Sequence, residues 1–166
     1  FSSVYAEENA TEIVNSKYNF IQEIYNDSWA IIIGINQYQN VNPLNYAVND
    51  AVAVKDMLIE SYGFKESNIM LITDEEATKK NIIQGFSDIL TNAKEKDRVV
   101  VFYAGHGDTY KLPSGGDMGY LIPVDGNLDN LYANKESILI GITKAPFDGS
   151  TCLEEIIELI MSSEEE

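Results

Sequence analysis

Residues 98–108 read Arg-Val-Val-Val-Phe-Tyr-Ala-Gly-His-Gly-Asp. Val99 to Tyr103 form an apolar run of strand length, and the run lacks any alternation of polar and apolar residues. The run predicts a third β-strand, with Val-Val-Val-Phe at its centre. His106 follows the run closely and lies between two glycines. Because ligands of open α/β sheets collect at the carboxyl ends of the strands, this stretch predicts a site at His106.

The segments before this strand predict a regular alternation of strands and helices. Ala30 to Ile35 and Ile69 to Thr73 are two further apolar runs, and each precedes a segment with helical spacing of apolar residues. The order predicts an α/β fold, a mainly parallel sheet with helices on its faces. The predicted elements are a helix over 11–26, a strand over 30–35, a helix from an Asn49 or Asp50 cap to Gly63, a strand over 69–73, a helix over 78–90, a strand over 98–103, short strands over 119–122 and 138–142, a helix over 151–161, and a flexible loop that includes 110–111 and 114–116.

Composition and charge restrict the class of partner. The chain has 166 residues, 45% hydrophobic and 23% charged, which fits one globular domain. Asp and Glu number 27 against 11 Lys and Arg, a formal net charge of -16. That field disfavours nucleic acid and anionic membranes and attracts basic peptides or cations.

No apolar run reaches the ~18 residues of a membrane helix, and no secretory leader is intact. The compartment stays unknown, with the cytoplasm slightly favoured.

The counts of cysteine and histidine exclude several kinds of site. Cys152 is the only cysteine and His106 the only histidine. An internal disulfide, a Cys-rich zinc site and a multi-His metal site are therefore excluded. A serine hydrolase is disfavoured because no Gly-x-Ser-x-Gly elbow is present. No metal is assigned.

The glycines that flank His106 favour a catalytic use of its imidazole. A glycine lets another backbone approach closely, and the Gly107 N–H is placed to face a developing oxyanion. The alternative is a structural or merely exposed histidine.

Four segments resemble the large-subunit motifs of caspase-like peptidases, with the bacterial caspase-like and metacaspase branch closest. They are Trp29–Asn36, Leu44–Ala51, Val101–Gly107 and Gly119–Asp125. The resemblance runs from about Trp29 to Ala133. It implies a three-layer α/β sandwich and a cysteine endopeptidase. We expect a caspase-like catalytic domain over 29–166 and an N-terminal helical extension over 1–28.

The resemblance also implies roles for two residues of the chain. His106 matches the histidine that acts as general base and then as general acid. Asp50 matches the position that lines the primary specificity pocket, where an Asp takes Arg or Lys before the cut. The alternative for Asp50 is a helix N-cap, and one side chain could serve both purposes. The implied partners are a protein or peptide substrate and a small-subunit or homodimer partner.

Cys152 is the candidate nucleophile, but its setting departs from the family pattern. It follows His106 by 46 residues, close to the roughly 50 of caspases. The family pattern Asp-x-Cys-x-Gly is absent. A place in the first turn of a helix favours the thiolate, whereas Glu154 and Glu155 disfavour it. The alternative is a small, half-buried structural residue.

Two explanations remain if Cys152 is not the nucleophile. The chain is then either a catalytically inactive interaction domain or a fragment whose nucleophile lies in a segment outside these 166 residues. Family character stops near 133–135, which suits the second explanation.

An acidic loop is a second candidate site. Asp125, Asn127, Asp129 and Glu136 occupy positions 1, 3, 5 and 12 of a calcium-loop template. Asn130 replaces the template's glycine, and the loop does not follow a helix. We expect no cofactor, with calcium as the alternative.

Overall fold

The structure is a computed structural model that describes residues 24–111, 117–127 and 138–140. Three parallel strands with two intervening helices are followed by three short antiparallel strands. In chain order the elements are β1 (Ser28–Gly34), α1 (Ala47–Tyr62), β2 (Ile69–Thr73), α2 (Lys79–Asn92), β3 (Arg98–Ala104), β4 (Gly107–Lys111), β5 (Asp117–Leu121) and β6 (Ile138–Ile140). Short 3-10 turns at Glu66–Asn68 and Asp74–Glu76 lie on either side of β2.

The strand β1 is the centre of the main sheet. The strand order is β2-β1-β3, and both pairings are parallel. Ile31 of β1 lies opposite Met70 of β2 and Val101 of β3. Ile31 to Ile33 are fully buried because helices cover both faces of the sheet at this central strand. This position explains why the β1 sequence is apolar without alternation.

Successive residues of β1 contribute to two hydrophobic clusters, one on each face of the sheet. Each cluster also contains residues of one helix, so the sheet lies between α1 and α2. The cluster with α2 includes Ile31, Ile33, Ile35, Ile82, Phe86 and Ile89. The cluster with α1 includes Ala30, Ile32, Ala51, Leu58 and Phe64. The predicted three-layer α/β sandwich, with helices on both faces of a mainly parallel sheet, is confirmed.

The beginning of α1 differs from the prediction. The helix begins at Ala47, so Asn49 and Asp50 lie in its first turn, and the predicted cap at either residue is wrong. The Val48 N–H is instead accepted by the Asn36 side-chain oxygen at 3.3 Å. An acceptor twelve residues earlier in the chain therefore serves this helix start, and a local sequence window does not contain it.

The helix α2 begins as the sequence predicts. Thr78 is its N-cap, and the Thr78 hydroxyl accepts the Asn81 N–H at 3.2 Å. Asp125 adds a second acceptor, because its carboxylate accepts the Lys79 N–H at 3.1 Å. The turn after β5 therefore packs on the start of α2.

The second sheet has the order β4-β5-β6 and is antiparallel. Residues 110–111 belong to β4, so the prediction of a flexible loop was wrong for these two residues. The segment has no apolar run, and its extended backbone is set by pairing with β5.

The predicted strand over 69–73 is confirmed at both ends.

Several predictions lie outside the described residues. These are the helix over 11–26 except for its last three residues, the helix over 151–161, the loop over 112–116, Cys152, and the template positions Asp129 and Glu136. Of residues 24–26, only residue 24 is helical. Among the described residues, no helix has the length and apolar character that a membrane crossing needs.

Candidate active site

His106 lies in the turn between β3 and β4, at the carboxyl end of the parallel sheet. Its ring is half-buried, and its Nε2 lies 2.8 Å from the backbone carbonyl oxygen of Asn42. Asn42 belongs to the loop of residues 35–46, which joins β1 to α1 and is called the β1–α1 loop below. A carbonyl oxygen only accepts hydrogen bonds, so Nε2 carries the proton and donates it. In the neutral ring, Nδ1 is then left with the lone pair and is the atom able to accept a proton.

Tyr38, also in the β1–α1 loop, contacts His106 in two ways. The two ring centroids lie 4.9 Å apart, with the ring planes inclined by 56°. The Tyr38 hydroxyl oxygen accepts the backbone N–H of His106 at 2.7 Å. One residue of the loop therefore contacts both the side chain and the main chain of the histidine.

Tyr103, near the end of β3, places a second hydroxyl at the same turn. Its oxygen lies 2.7 Å from the carbonyl oxygen of Ile122 and 2.9 Å from that of His106. It also lies 3.3 Å from the Tyr38 hydroxyl. Burial raises the pKa of both tyrosines above the ordinary value. Both phenols therefore keep their protons at neutral pH and act as hydrogen-bond donors.

The close approach of these hydroxyls requires a glycine at position 105. A Cβ atom there would lie 2.5 Å from the Tyr38 hydroxyl and 2.5 Å from the Tyr103 hydroxyl. Any other side chain would force the two oxygens away. The first glycine of the Gly105-His106-Gly107 motif is therefore explained by packing against the two phenols.

Asp74 fixes the start of the β1–α1 loop. It lies directly after β2, and its Oδ1 accepts the N–H groups of Asn36 at 2.7 Å and Gln37 at 2.9 Å. Its backbone has φ of 41°, in the left-handed region that Asp adopts more readily than most residues. The loop that carries Tyr38 and Asn42 is thus tied to the end of the neighbouring strand.

The same loop is also tied to the turn after β5. The Gln39 N–H donates to the Val124 carbonyl at 3.0 Å. The Asn40 side-chain amide donates to the Gly126 carbonyl at 3.3 Å. Contacts with two separate chain segments therefore hold the residues on either side of Tyr38.

Gly107 begins β4 and lies opposite Leu121 of β5. The neighbouring residues are joined by the Ile122 N–H, which donates to the His106 carbonyl at 3.1 Å. Hydrogen-bonded and non-hydrogen-bonded pairs alternate along an antiparallel ladder. The Gly107 N–H therefore points away from β5.

Asp50 lies at the same edge of the sheet as His106. It is exposed in the first turn of α1. Ala51 packs against Gly34 at the carboxyl end of β1, where an added Cβ would lie 2.6 Å from the Ala51 Cβ. The helix start is therefore fixed against the end of the central strand, and Asp50 is presented to solvent.

An acidic cavity adjoins Tyr38. Its volume is about 720 Å³, and Asp74, Glu75 and Glu76 line it together with Gln37. Its carboxylates add negative charge beside the turn that carries His106.

The described residues do not pair His106 with sulfur, because Cys152 lies outside them. They also contain no group of three His, Cys, Asp or Glu side chains able to hold a metal ion. Of the calcium template, Asp125 is described, and its carboxylate is occupied by the Lys79 N–H. The remaining acidic positions of that template are not described.

Sequence reasoning missed Tyr38, Asn42 and Asp74. Asn42 acts through its backbone carbonyl, so its side chain carries no signal. Asp74 acts on amides 38 and 37 positions away in the chain. A signal for Tyr103 was available, since it lies within the same Tyr-Ala-Gly-His-Gly stretch that identified His106.

Comparison with known proteins identifies the family and the fold. A family profile described as the caspase domain matches residues 27–159. Metacaspase-6 of Arabidopsis thaliana is 37% identical over 109 residues, which cover 60% of this chain and 30% of the relative. Metacaspase-1 of Eremothecium gossypii is 31% identical over 106 residues, which cover 58% of this chain and 24% of the relative.

A solved structure shares the fold. The crystal structure of a Geobacter sulfurreducens protein superposes with a TM-score of 0.51 and 22% sequence identity, covering 64% of this chain and 44% of that one. The matches to the metacaspases span less than a third of the relatives' length. Since the profile covers most of the chain and the fold agrees, the chain belongs to the caspase domain family.

Proposed function

We propose that this chain forms the histidine-bearing part of a cysteine endopeptidase that cleaves after Arg or Lys. The observation that carries the proposal is the hydrogen bond from His106 Nε2 to the Asn42 carbonyl. It leaves Nδ1 as the basic atom of a half-buried ring at the carboxyl end of the sheet. An imidazole with one nitrogen held as donor and the other available suits proton transfer to and from a thiol.

The proposed reaction begins with proton transfer from a cysteine thiol to His106 Nδ1. The thiolate sulfur attacks the carbonyl carbon of the scissile bond, and the carbonyl electron pair moves onto the oxygen. The Gly107 N–H, which points away from β5, is assigned to that oxyanion. When the C–N bond breaks, Nδ1–H protonates the leaving amine. Water then hydrolyses the thioester with His106 as the base, which restores the thiol.

Cys152 is assigned as the nucleophile because it is the only thiol of the chain. The alternative source is a segment outside these residues, which the partial coverage of the relatives allows. A single cysteine makes the assignment testable by alkylation, since iodoacetamide meets only one thiol in the chain.

Asp50 supports a preference for basic residues before the cut. An exposed carboxylate at the helix start, together with the acidic cavity beside Tyr38, favours the guanidinium of Arg or the ammonium of Lys. The only arginine of the chain is Arg98. Its guanidinium donates to the Ser28 hydroxyl and the Tyr62 carbonyl at the opposite end of β3, so it is not placed to bind an acidic residue.

The test measures cleavage of fluorogenic peptides that end in Arg, Lys or Asp. We expect turnover after Arg and Lys, with kcat/KM lowered at least a hundredfold in His106→Ala because general acid–base catalysis is lost. Asp50→Asn should raise KM for Arg peptides, whereas Asp56→Asn, an exposed control on the same helix, should not.

Four results would oppose parts of the proposal. Full turnover in His106→Ala removes the histidine from the mechanism. Preferred cleavage after Asp overturns the assigned specificity. Activity that persists after complete alkylation of Cys152 removes that thiol, and an inert chain at every concentration favours an interaction domain.

A further inference from the structure

We propose that Tyr38 and Tyr103 are positioning residues, and that their hydroxyls form a relay which replaces one rung of the β-ladder at His106. The catalytic consequence rests on the proposed function, whereas the positioning itself does not. The name tyrosine relay is used below for the path His106 N–H, Tyr38 hydroxyl, Tyr103 hydroxyl and Ile122 carbonyl.

Backbone groups fix the direction of the hydrogen bonds at both ends of the tyrosine relay, because an N–H only donates and a carbonyl oxygen only accepts. The Tyr38 oxygen accepts the His106 N–H, so its own proton is free for the Tyr103 oxygen at 3.3 Å. Tyr103 then donates its proton to the Ile122 carbonyl at 2.7 Å. The same hydroxyl also lies 2.9 Å from the His106 carbonyl oxygen. No buried side-chain polar atom among the described residues lacks a partner.

The tyrosine relay interrupts the ladder between β4 and β5 at His106. The Ile122 N–H donates to the His106 carbonyl at 3.1 Å, which is one half of a hydrogen-bonded pair. In a regular ladder the His106 N–H would return the bond to the Ile122 carbonyl. Here the His106 N–H donates to the Tyr38 hydroxyl and the Ile122 carbonyl accepts from the Tyr103 hydroxyl, so the two hydroxyls stand in for the direct bond.

Gly105 gives independent support, because the space for the two oxygens exists only without a Cβ at that residue. Both hydroxyls lie 2.5 Å from the position that this atom would occupy. The glycine next to the histidine and the pair of phenols are therefore parts of one arrangement.

The β1–α1 loop holds both the ring and the backbone of His106. Tyr38 packs on the imidazole, and Asn42, four residues later in the same loop, accepts its Nε2–H. Loss of the Tyr38 hydroxyl frees the peptide while leaving the ring contact in place. The orientation of Nδ1 toward a substrate would then be less well defined.

The test uses Tyr38→Phe and Tyr103→Phe, each of which removes one oxygen and keeps the ring. Tyr25→Phe is the control, because Tyr25 lies before β1 at the opposite end of the sheet, near Arg98. The first readout is hydrogen exchange of the His106 amide by NMR. We expect exchange to accelerate at least tenfold in Tyr38→Phe, less in Tyr103→Phe, and not in Tyr25→Phe.

The second readout is steady-state kinetics with the Arg peptide. We expect kcat to fall about tenfold in either variant with KM within about twofold, since substrate contacts are unchanged. The double variant should lose little more than one single variant, because both changes break one path. Thermal melting confirms that each variant is folded.

The two readouts separate this inference from the proposed function. Accelerated exchange in a protein that cleaves none of the peptides retains the tyrosine relay and removes the peptidase. Unchanged exchange of the His106 amide in folded Tyr38→Phe overturns the relay, whatever the activity. Additive losses in kcat would show two separate roles and would also contradict it.

Discussion

The central strand and the β1–α1 loop are held by different forces, although one follows the other in the chain. Ile31 to Ile33 of β1 are fully buried between two helices and make apolar contacts. The loop is instead tied by polar contacts with Asp74, Val124 and Gly126. Stability therefore comes mainly from apolar burial in β1, whereas the site geometry comes from the polar contacts of the loop. Mutations in β1 should thus change mainly stability, whereas mutations at the supports of the loop should also change activity.

The largest effect on stability is expected from truncation of the central strand. Ile32→Ala removes most of a fully buried side chain and should lower the free energy of unfolding by about 2–5 kcal/mol. Urea denaturation measures the change. Val52→Ala, at an exposed position of α1, is the control and should cost much less. A loss below about 1 kcal/mol in Ile32→Ala would contradict the assigned core.

Gly105→Ala tests the site geometry and not the central strand. The added methyl group meets two hydroxyl oxygens at 2.5 Å, so the oxygens or the turn must move. We expect a cost of about 1–3 kcal/mol in stability and a larger loss of kcat than Ile32→Ala causes. Equal or greater activity in Gly105→Ala would show that the hydroxyls do not need this space.

Asp74 gives a smaller and more selective change. Asp74→Ala leaves the Asn36 and Gln37 amides without their acceptor and places alanine at a φ of 41°, for a cost of about 1–3 kcal/mol. Asp74→Asn keeps an oxygen acceptor and tolerates this backbone, so it should retain most of the activity. The measurement is kcat of the two variants. A similar loss in both would assign the effect to charge and not to the hydrogen bonds.

The smallest effect concerns alkaline pH. Burial raises the pKa of Tyr38 and Tyr103 above the ordinary value, so the folded protein keeps these protons when the unfolded chain has lost them. Their contribution to stability is present below about pH 10 and is lost as the pH rises beyond it. Denaturation between pH 9 and 11 should show a shallower decline in Tyr38→Phe and Tyr103→Phe. An unaltered slope would oppose the buried, protonated state of the phenols.

The sequence predicted the parts of the molecule in which side-chain pattern decides structure. The apolar runs located β1, β2 and β3, and the order of elements located His106 at the carboxyl end of the sheet. The predicted cap at Asn49 or Asp50 failed because Asn36 supplies the acceptor from a distance. The contact with Asn42 was beyond prediction, since any residue has a carbonyl oxygen and its position depends on the loop conformation.

The most direct test of the account is the tautomer of the His106 ring, which is observable without ambiguity because the chain has one histidine. A long-range proton–nitrogen-15 NMR spectrum of the neutral ring distinguishes the two nitrogens. We predict that Nε2 carries the proton, as its bond to the Asn42 carbonyl requires. A neutral ring with its proton mainly on Nδ1 would contradict the account, since the proposed base would then have no lone pair to offer a thiol.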